Sequence, residues 1–158
     1  MRYLKVTTIV LNLALLALGI MIIGGAINLF GNFNNMNNEG ILSIFTRFVI
    51  LTGVFIILIK IKMLVKNINN KIIFADKNIK ILITISNILF IMAIATYFIK
   101  NDNTSLQILE FGGFAIKFET LLLASIGLIA RIIGDVFNES IKIKYKSEEL
   151  EEESKYTV

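Results

Sequence analysis

The 158-residue chain contains no cysteine, no histidine and no proline. Without Cys and His it builds no thiolate or imidazole metal site, no disulfide, no Cys nucleophile and no histidine general base, so most familiar enzyme centres are excluded. Charge is scarce too. Only 18% of residues are charged against 56% hydrophobic, and the mean hydropathy of +0.77 lies outside the range of soluble domains. The composition predicts an integral membrane protein. The net charge of +4 and pI near 9.3 would suggest nucleic acid for a soluble chain, but the lysines follow membrane topology instead, and no direct nucleic-acid binding is expected.

A hydrocarbon layer of about 30 Å requires about 20 apolar residues in a helix. Four runs of about that length are present. Val6 to Phe30 holds no charge, Ile41 to Ile59 holds only Arg47, Ile81 to Ile99 holds none, and Thr120 to Phe137 holds Arg131 and Asp135. Backbone groups in a bilayer must be satisfied within the segment, so these runs read as helices despite their β-favouring Ile, Val and Phe. The expected fold is an all-α integral membrane bundle of four antiparallel transmembrane helices in one domain, residues 1–158. The spans are placed at about 6–30, 41–65, 79–99 and 119–140, with a loop at 66–78 and an acidic tail at 141–158. The first run also offers a basic start and small residues at Gly24, Gly25 and Ala26, as a secretory signal would. Its length and the even span count favour a retained helix.

Twelve Lys or Arg fall on one side of this topology: Arg2 and Lys5, then Lys60, Lys62, Lys66, Lys71, Lys77 and Lys80, then Lys142, Lys144, Lys146 and Lys155. The other side carries only Lys100 and Lys117. The positive-inside rule then places both termini in the cytoplasm and the chain in the cytoplasmic membrane.

Between the spans, GNFNNMNNEG (31–40) reads as a short turn. In SLQILEFGGFAIKF, Gly112 and Gly113 sit between apolar-rich runs and suit either a short extracellular β-hairpin or a plain interfacial run-in to span four. The loop KNINNKIIFADKNIK breaks its polar sequence with Ile72, Ile73 and Phe74, and Asp76 suits a helix start. Lys60, Lys62, Lys66, Lys71, Phe74, Lys77 and Lys80 form the expected partner or lipid face, although topology alone also accounts for the lysines. The Glu148 to Glu153 run holds five Glu and reads as solvated, either mobile or as a helix extension.

Ionisable groups inside spans are functional candidates because a mid-membrane charge costs about 2.5–3.5 kcal/mol on insertion scales. Arg47 lies close enough to the outer surface to snorkel and anchor. Arg131 and Asp135 are spaced i, i+4 and form an intramembrane pair, either structural or lining a polar path. Gly127, Ala130 and Gly134 make a packing seam on span four. Asn12, Asn28 and Asn87, with Thr84 and Ser86, read as hydrogen-bonding glue between helices. The first span carries no acidic residue of the kind a small four-helix drug exporter would need. No catalytic residue, cofactor or metal is expected.

Two stretches, NINNKIIFADKNIKILITISNILF and IGLIARIIGDVFNESIKIKYKSEELEEESKYTV, resemble the bacterial four-span membrane proteins of domain of unknown function 2975. The likeness lies in a polar turn, a Phe and a polar entry into span three, and in the closing Glu153 to Val158. The chain departs from the pattern where Ile73 replaces Pro, where Tyr156 replaces Leu, and in the acidity of the tail. The resemblance implies a non-enzymatic protein that binds or sequesters a small cytoplasmic helix-turn-helix transcription regulator. The alternative is a small oligomeric transporter or channel subunit, a homo-oligomer with a polar path at span four. The Asn, Ile and Lys richness looks like an AT-rich bacterial genome.

Overall fold

The computed structural model describes residues 2–32, 38–70, 72, 75–97, 107–111 and 114–156. Its elements are helices α1 (Arg2–Asn32), α2 (Asn38–Asn69) and α3 (Asp76–Tyr97), strands β1 (Gln107–Phe111) and β2 (Phe114–Lys117), and helix α4 (Phe118–Tyr156). All four helices are long and apolar enough to cross a bilayer, so the chain is a multi-pass membrane protein with a helical-bundle fold.

The helices pack in chain order, α1 on α2, α2 on α3, and α3 most extensively on α4. Direction follows from the contacts. Asn67 meets Asn78 and Gly53 meets Met92, so α2 and α3 are antiparallel. Leu89 lies at Gly127, Leu82 at Gly134, and Thr96 bonds Thr120, so α3 and α4 are antiparallel as well. These contacts set a common depth scale. The α2–α3 register puts Arg47 and Phe48 at the level of the end of α3, and the α3–α4 register puts the start of α4 there too. Helix α2 continues nine residues further, to Asn38, roughly 13 Å by helical rise. Helix α2 thus outreaches helices α3 and α4 at that end.

The core sits around α3. Ile81, Ile85 and Leu89 are buried and pack against Ile57, Ile61 and Leu64 of α2 and Leu123 and Ala130 of α4. Small residues set the spacing on both sides. A Cβ at Gly127 would meet Leu89 Cβ at 3.3 Å, and one at Gly134 would meet Leu82 Cβ at 3.5 Å. At Gly53 a Cβ would come within 2.6 Å of Met92 Sδ, so only hydrogen fits there without moving Met92. Gly127, Ala130 and Gly134 recur every three or four residues, which keeps one stripe of α4 against α3.

Strands β1 and β2 pair antiparallel, with Phe111 opposite Phe114, Leu109 opposite Ile116 and an irregularity before Leu109. Of the two expectations for this segment, the hairpin is the one that forms. Gly112 and Gly113 themselves lie outside the described residues.

Two boundaries differ from those expected. The loop placed at 66–78 shrinks to residues 70–75, because α2 runs to Asn69 and α3 starts at Asp76, whose carboxylate sits in the positive first turn. The tail placed at 141–158 is not a separate segment. Helix α4 continues through the Glu run to Tyr156, helped by Lys144 and Glu148 at i, i+4.

Candidate functional site

The turn between α2 and α3 is organised by one residue that sequence reasoning did not single out. Asn78 is 1% exposed. Its Oδ1 accepts from Asn67 Nδ2 at 2.6 Å, and its Nδ2 donates to the Ile72 carbonyl at 2.7 Å. Its own backbone N–H donates to the Ala75 carbonyl at 2.8 Å. One buried carboxamide therefore ties the end of α2, the turn and the first turn of α3. An Asn two residues after a helix start, followed by an apolar span, was the available signal.

Around this knot lie the expected lysines. Lys62, Lys66, Lys77 and Lys80 are exposed and Lys60 is half-buried. Lys71 and Phe74, also expected on this face, lie outside the described residues. The helix registers put Lys60 level with Ile85 and with Arg131, about five residues or roughly 7 Å deeper than Lys80. That depth is within the reach of a long basic side chain extending to the headgroups.

Helix α4 leaves the bundle at the same end. Ile141 is its last buried residue, and every residue from Lys142 to Tyr156 is exposed. Those 15 residues extend roughly 22 Å as a helix. The extension carries Lys142, Lys144 and Lys146 first and the Glu run after, with Ile143, Tyr145 and Leu150 open among them. Glu139 and Lys142 pair at 2.7 Å on its first turn.

Arg131 Nε lies 3.8 Å from Asp135 Oδ2, and the two side chains are 46% and 63% exposed. The pair occupies the flank of α4 and does not line an interior path. Gly127, Ala130 and Gly134, by contrast, are covered by α3 of the same chain. Arg47 borders a hollow of about 190 Å³ between α1 and α2, beside Met21, Gly25 and Phe48. At the hairpin end Lys117, the last residue of β2 and next to the start of α4, is 7% exposed.

The expected hydrogen-bonding glue is distributed differently. Thr96 donates to the Ala93 carbonyl at 2.7 Å and meets Thr120 Oγ1 at 2.8 Å, so Thr120 is the donor across α3 and α4. Neither was among the polar residues selected from the sequence. Thr84 turns back to the Lys80 carbonyl at 2.6 Å, and Ser86, fully buried, has no hydrogen-bond partner for its Oγ among the described residues. Asn12 and Asn87 are exposed and bond nothing among the described residues, while the side chain of Asn28 lies outside them.

Two further hollows, of about 330 and 310 Å³, share Val49 and Ile91 and form one apolar groove between α2 and α3. Among the described residues no group of carboxylates is placed to hold a metal ion. No protein-family model matches the chain, and neither a curated protein nor a solved structure does. The resemblance to domain of unknown function 2975 therefore rests on the motifs themselves.

Proposed function

We propose that this is a non-enzymatic protein of the bacterial cytoplasmic membrane that binds a small cytoplasmic helix-turn-helix regulator through its Lys-rich end, both termini facing the cytoplasm. The observation that carries the reading is the exposed extension of α4. A helix of 15 exposed residues costs conformational entropy and buries nothing within its own chain, so its order gains a purpose when a partner lies along it. Ile143, Tyr145 and Leu150 supply the apolar contacts, and the charges segregated along the helix supply orientation. The Asn67–Asn78 knot holds the neighbouring Lys66, Lys77 and Lys80 on a fixed turn. The motif resemblance supplies the class of partner.

The geometry favours this over a transporter or channel. The α2–α3 groove is apolar and opens sideways, and Arg131 with Asp135 faces outward. The test is a photo-crosslinker at Tyr145 in native membranes, with mass spectrometry of what is captured. A helix-turn-helix protein captured by the full chain, and lost when residues 142–158 are deleted, supports the proposal. Capture of lipid or of copies of the chain alone defeats it.

A further inference from the structure

Two carboxamides on apolar helices, Asn12 and Asn87, are exposed and have no partner among the described residues. Asn87 lies on the one open strip of α3, with Lys80, Ile91 and Ile94, seven residues above Lys80 and ten below the helix end. Asn12 lies on an open strip of α1 with Ile9, Leu16, Ile23 and Phe30. Neither makes a hydrogen bond among the described residues, and each lies within the apolar span of its helix. An amide in hydrocarbon without a partner is strongly disfavoured, so a polar group from elsewhere belongs at each.

Depth matches the two. The α2–α3 register puts Asn87 level with Leu58. Helices α1 and α2 run back from a five-residue connection, and Met21 to Gly25 lie beside Ile44 to Leu51. That register puts Asn12 level with Leu58 too. Within one chain the two cannot pair, because α2 stands between α1 and α3. Between two copies in one membrane they can. A carboxamide is both donor and acceptor, and α1 and α3 run in the same direction across the bilayer. Setting Asn12 beside Asn87 also sets Leu16 beside Ile91, which is 57% exposed on the rim of the α2–α3 groove.

We propose that α1 of one copy of this chain lies along the α2–α3 groove of a second copy, with Asn12 of the first hydrogen-bonded to Asn87 of the second. The groove, lined by Val49, Gly53, Ile56 and Ile88, takes the apolar side chains above the amide pair. The pair fixes the register, as a polar residue at a helix seam does. The contact is head-to-tail, so it builds a closed ring or a row and leaves the α4 extension free.

The chain has no cysteine, which makes the test clean. Copies carrying Leu16→Cys and copies carrying Ile91→Cys, differently tagged, are co-expressed and oxidised in native membranes. A mixed disulfide well above that formed by Leu16→Cys with Ile129→Cys on the outer face of α4 is expected. Equal yields, or none, overturn the proposal. Independently, Asn87→Leu removes an exposed amide from a lipid-facing position, so the fold tolerates it. Self-association measured by energy transfer in vesicles should weaken about three- to tenfold, and Asn87→Gln should restore it. Unchanged association in Asn87→Leu also overturns the proposal.

Discussion

Helices α3 and α1 both carry an uncharged apolar run, from Ile81 and from Val6 onward, and differ in nearly everything else. Helix α3 is enclosed by α2 and α4, with half of its span buried, whereas α1 touches α2 along one side and is 6% buried by the same measure. The difference lies in small and polar residues placed where a neighbour can use them. Around α3, Gly53, Gly127 and Gly134 admit close approach, and Asn78 and Thr96 find partners. The glycines of α1, Gly19, Gly24, Gly25 and Gly31, have nothing within 4 Å of a would-be Cβ. In lipid, apolarity alone draws no helix to another, so packing detail decides which helices associate.

The strongest way to break this contrast is at the asparagines. Asn78→Leu should destabilise the protein by about 2–4 kcal/mol, since it removes the bonds to Asn67 and Ile72 and leaves the Asn67 amide and the Ile72 carbonyl short of a partner. Asn12→Leu should leave monomer stability within about 0.5 kcal/mol. Reversible unfolding in detergent, followed by far-UV circular dichroism, measures both. Equal effects would mean that α1 is packed as firmly as α3.

A smaller effect is expected at the glycines. Gly127→Leu forces a side chain against Leu89 and Phe90 and should cost about 1–3 kcal/mol by overpacking. Gly24→Leu meets open space and should cost nothing measurable on the same assay. A loss at Gly24 comparable to that at Gly127 would show α1 to be covered by something outside its own chain.

The spans were legible because hydrocarbon thickness dictates their length, and the seam on α4 because small residues recur there at helical spacing. What could not be read was which face of α1 and α2 packs. Both carry apolar residues all the way round, so no periodicity marks an inner side. The asparagines show the same limit from the other direction. Asn12, Asn78 and Asn87 look alike in sequence, and only the fold distinguishes the one that is buried and bonded from the two that face outward. Thr96 and Thr120, 24 residues apart, become a pair only once α3 and α4 are set side by side. The continuation of α4 through the Glu run was left open for a related reason: helix-forming Glu competed with a charge pattern typical of solvated tails.

Thr96→Val should cost about 0.6 kcal/mol, the usual size of a hydrogen bond between membrane helices. Thr84→Val, whose hydroxyl serves only its own helix, should change stability by less than that. A larger loss at Thr84 would place a neighbour on the open strip of α3.

A small effect is also expected at the pair that looked most chemical in the sequence. Asp135 lies level with Ile81, at the edge of the apolar layer, and Arg131 one turn deeper, level with Lys60. Their contact is single and 3.8 Å long, and both side chains are about half exposed or more. If Asp135 is replaced by Leu, Arg131 is still close enough to the boundary to reach lipid phosphate, so the guanidinium is not stranded. If Arg131 is replaced by Leu, Asp135 stands at the boundary, where water is near. A double-mutant cycle with Arg131→Leu and Asp135→Leu should therefore give a coupling of about 0.2–1 kcal/mol after allowing for screening. A coupling above about 2 kcal/mol would require the pair to be shielded from headgroups and water alike. The outer flank of α4 would then be covered in the membrane, and α3 would no longer be the most enclosed helix of the four.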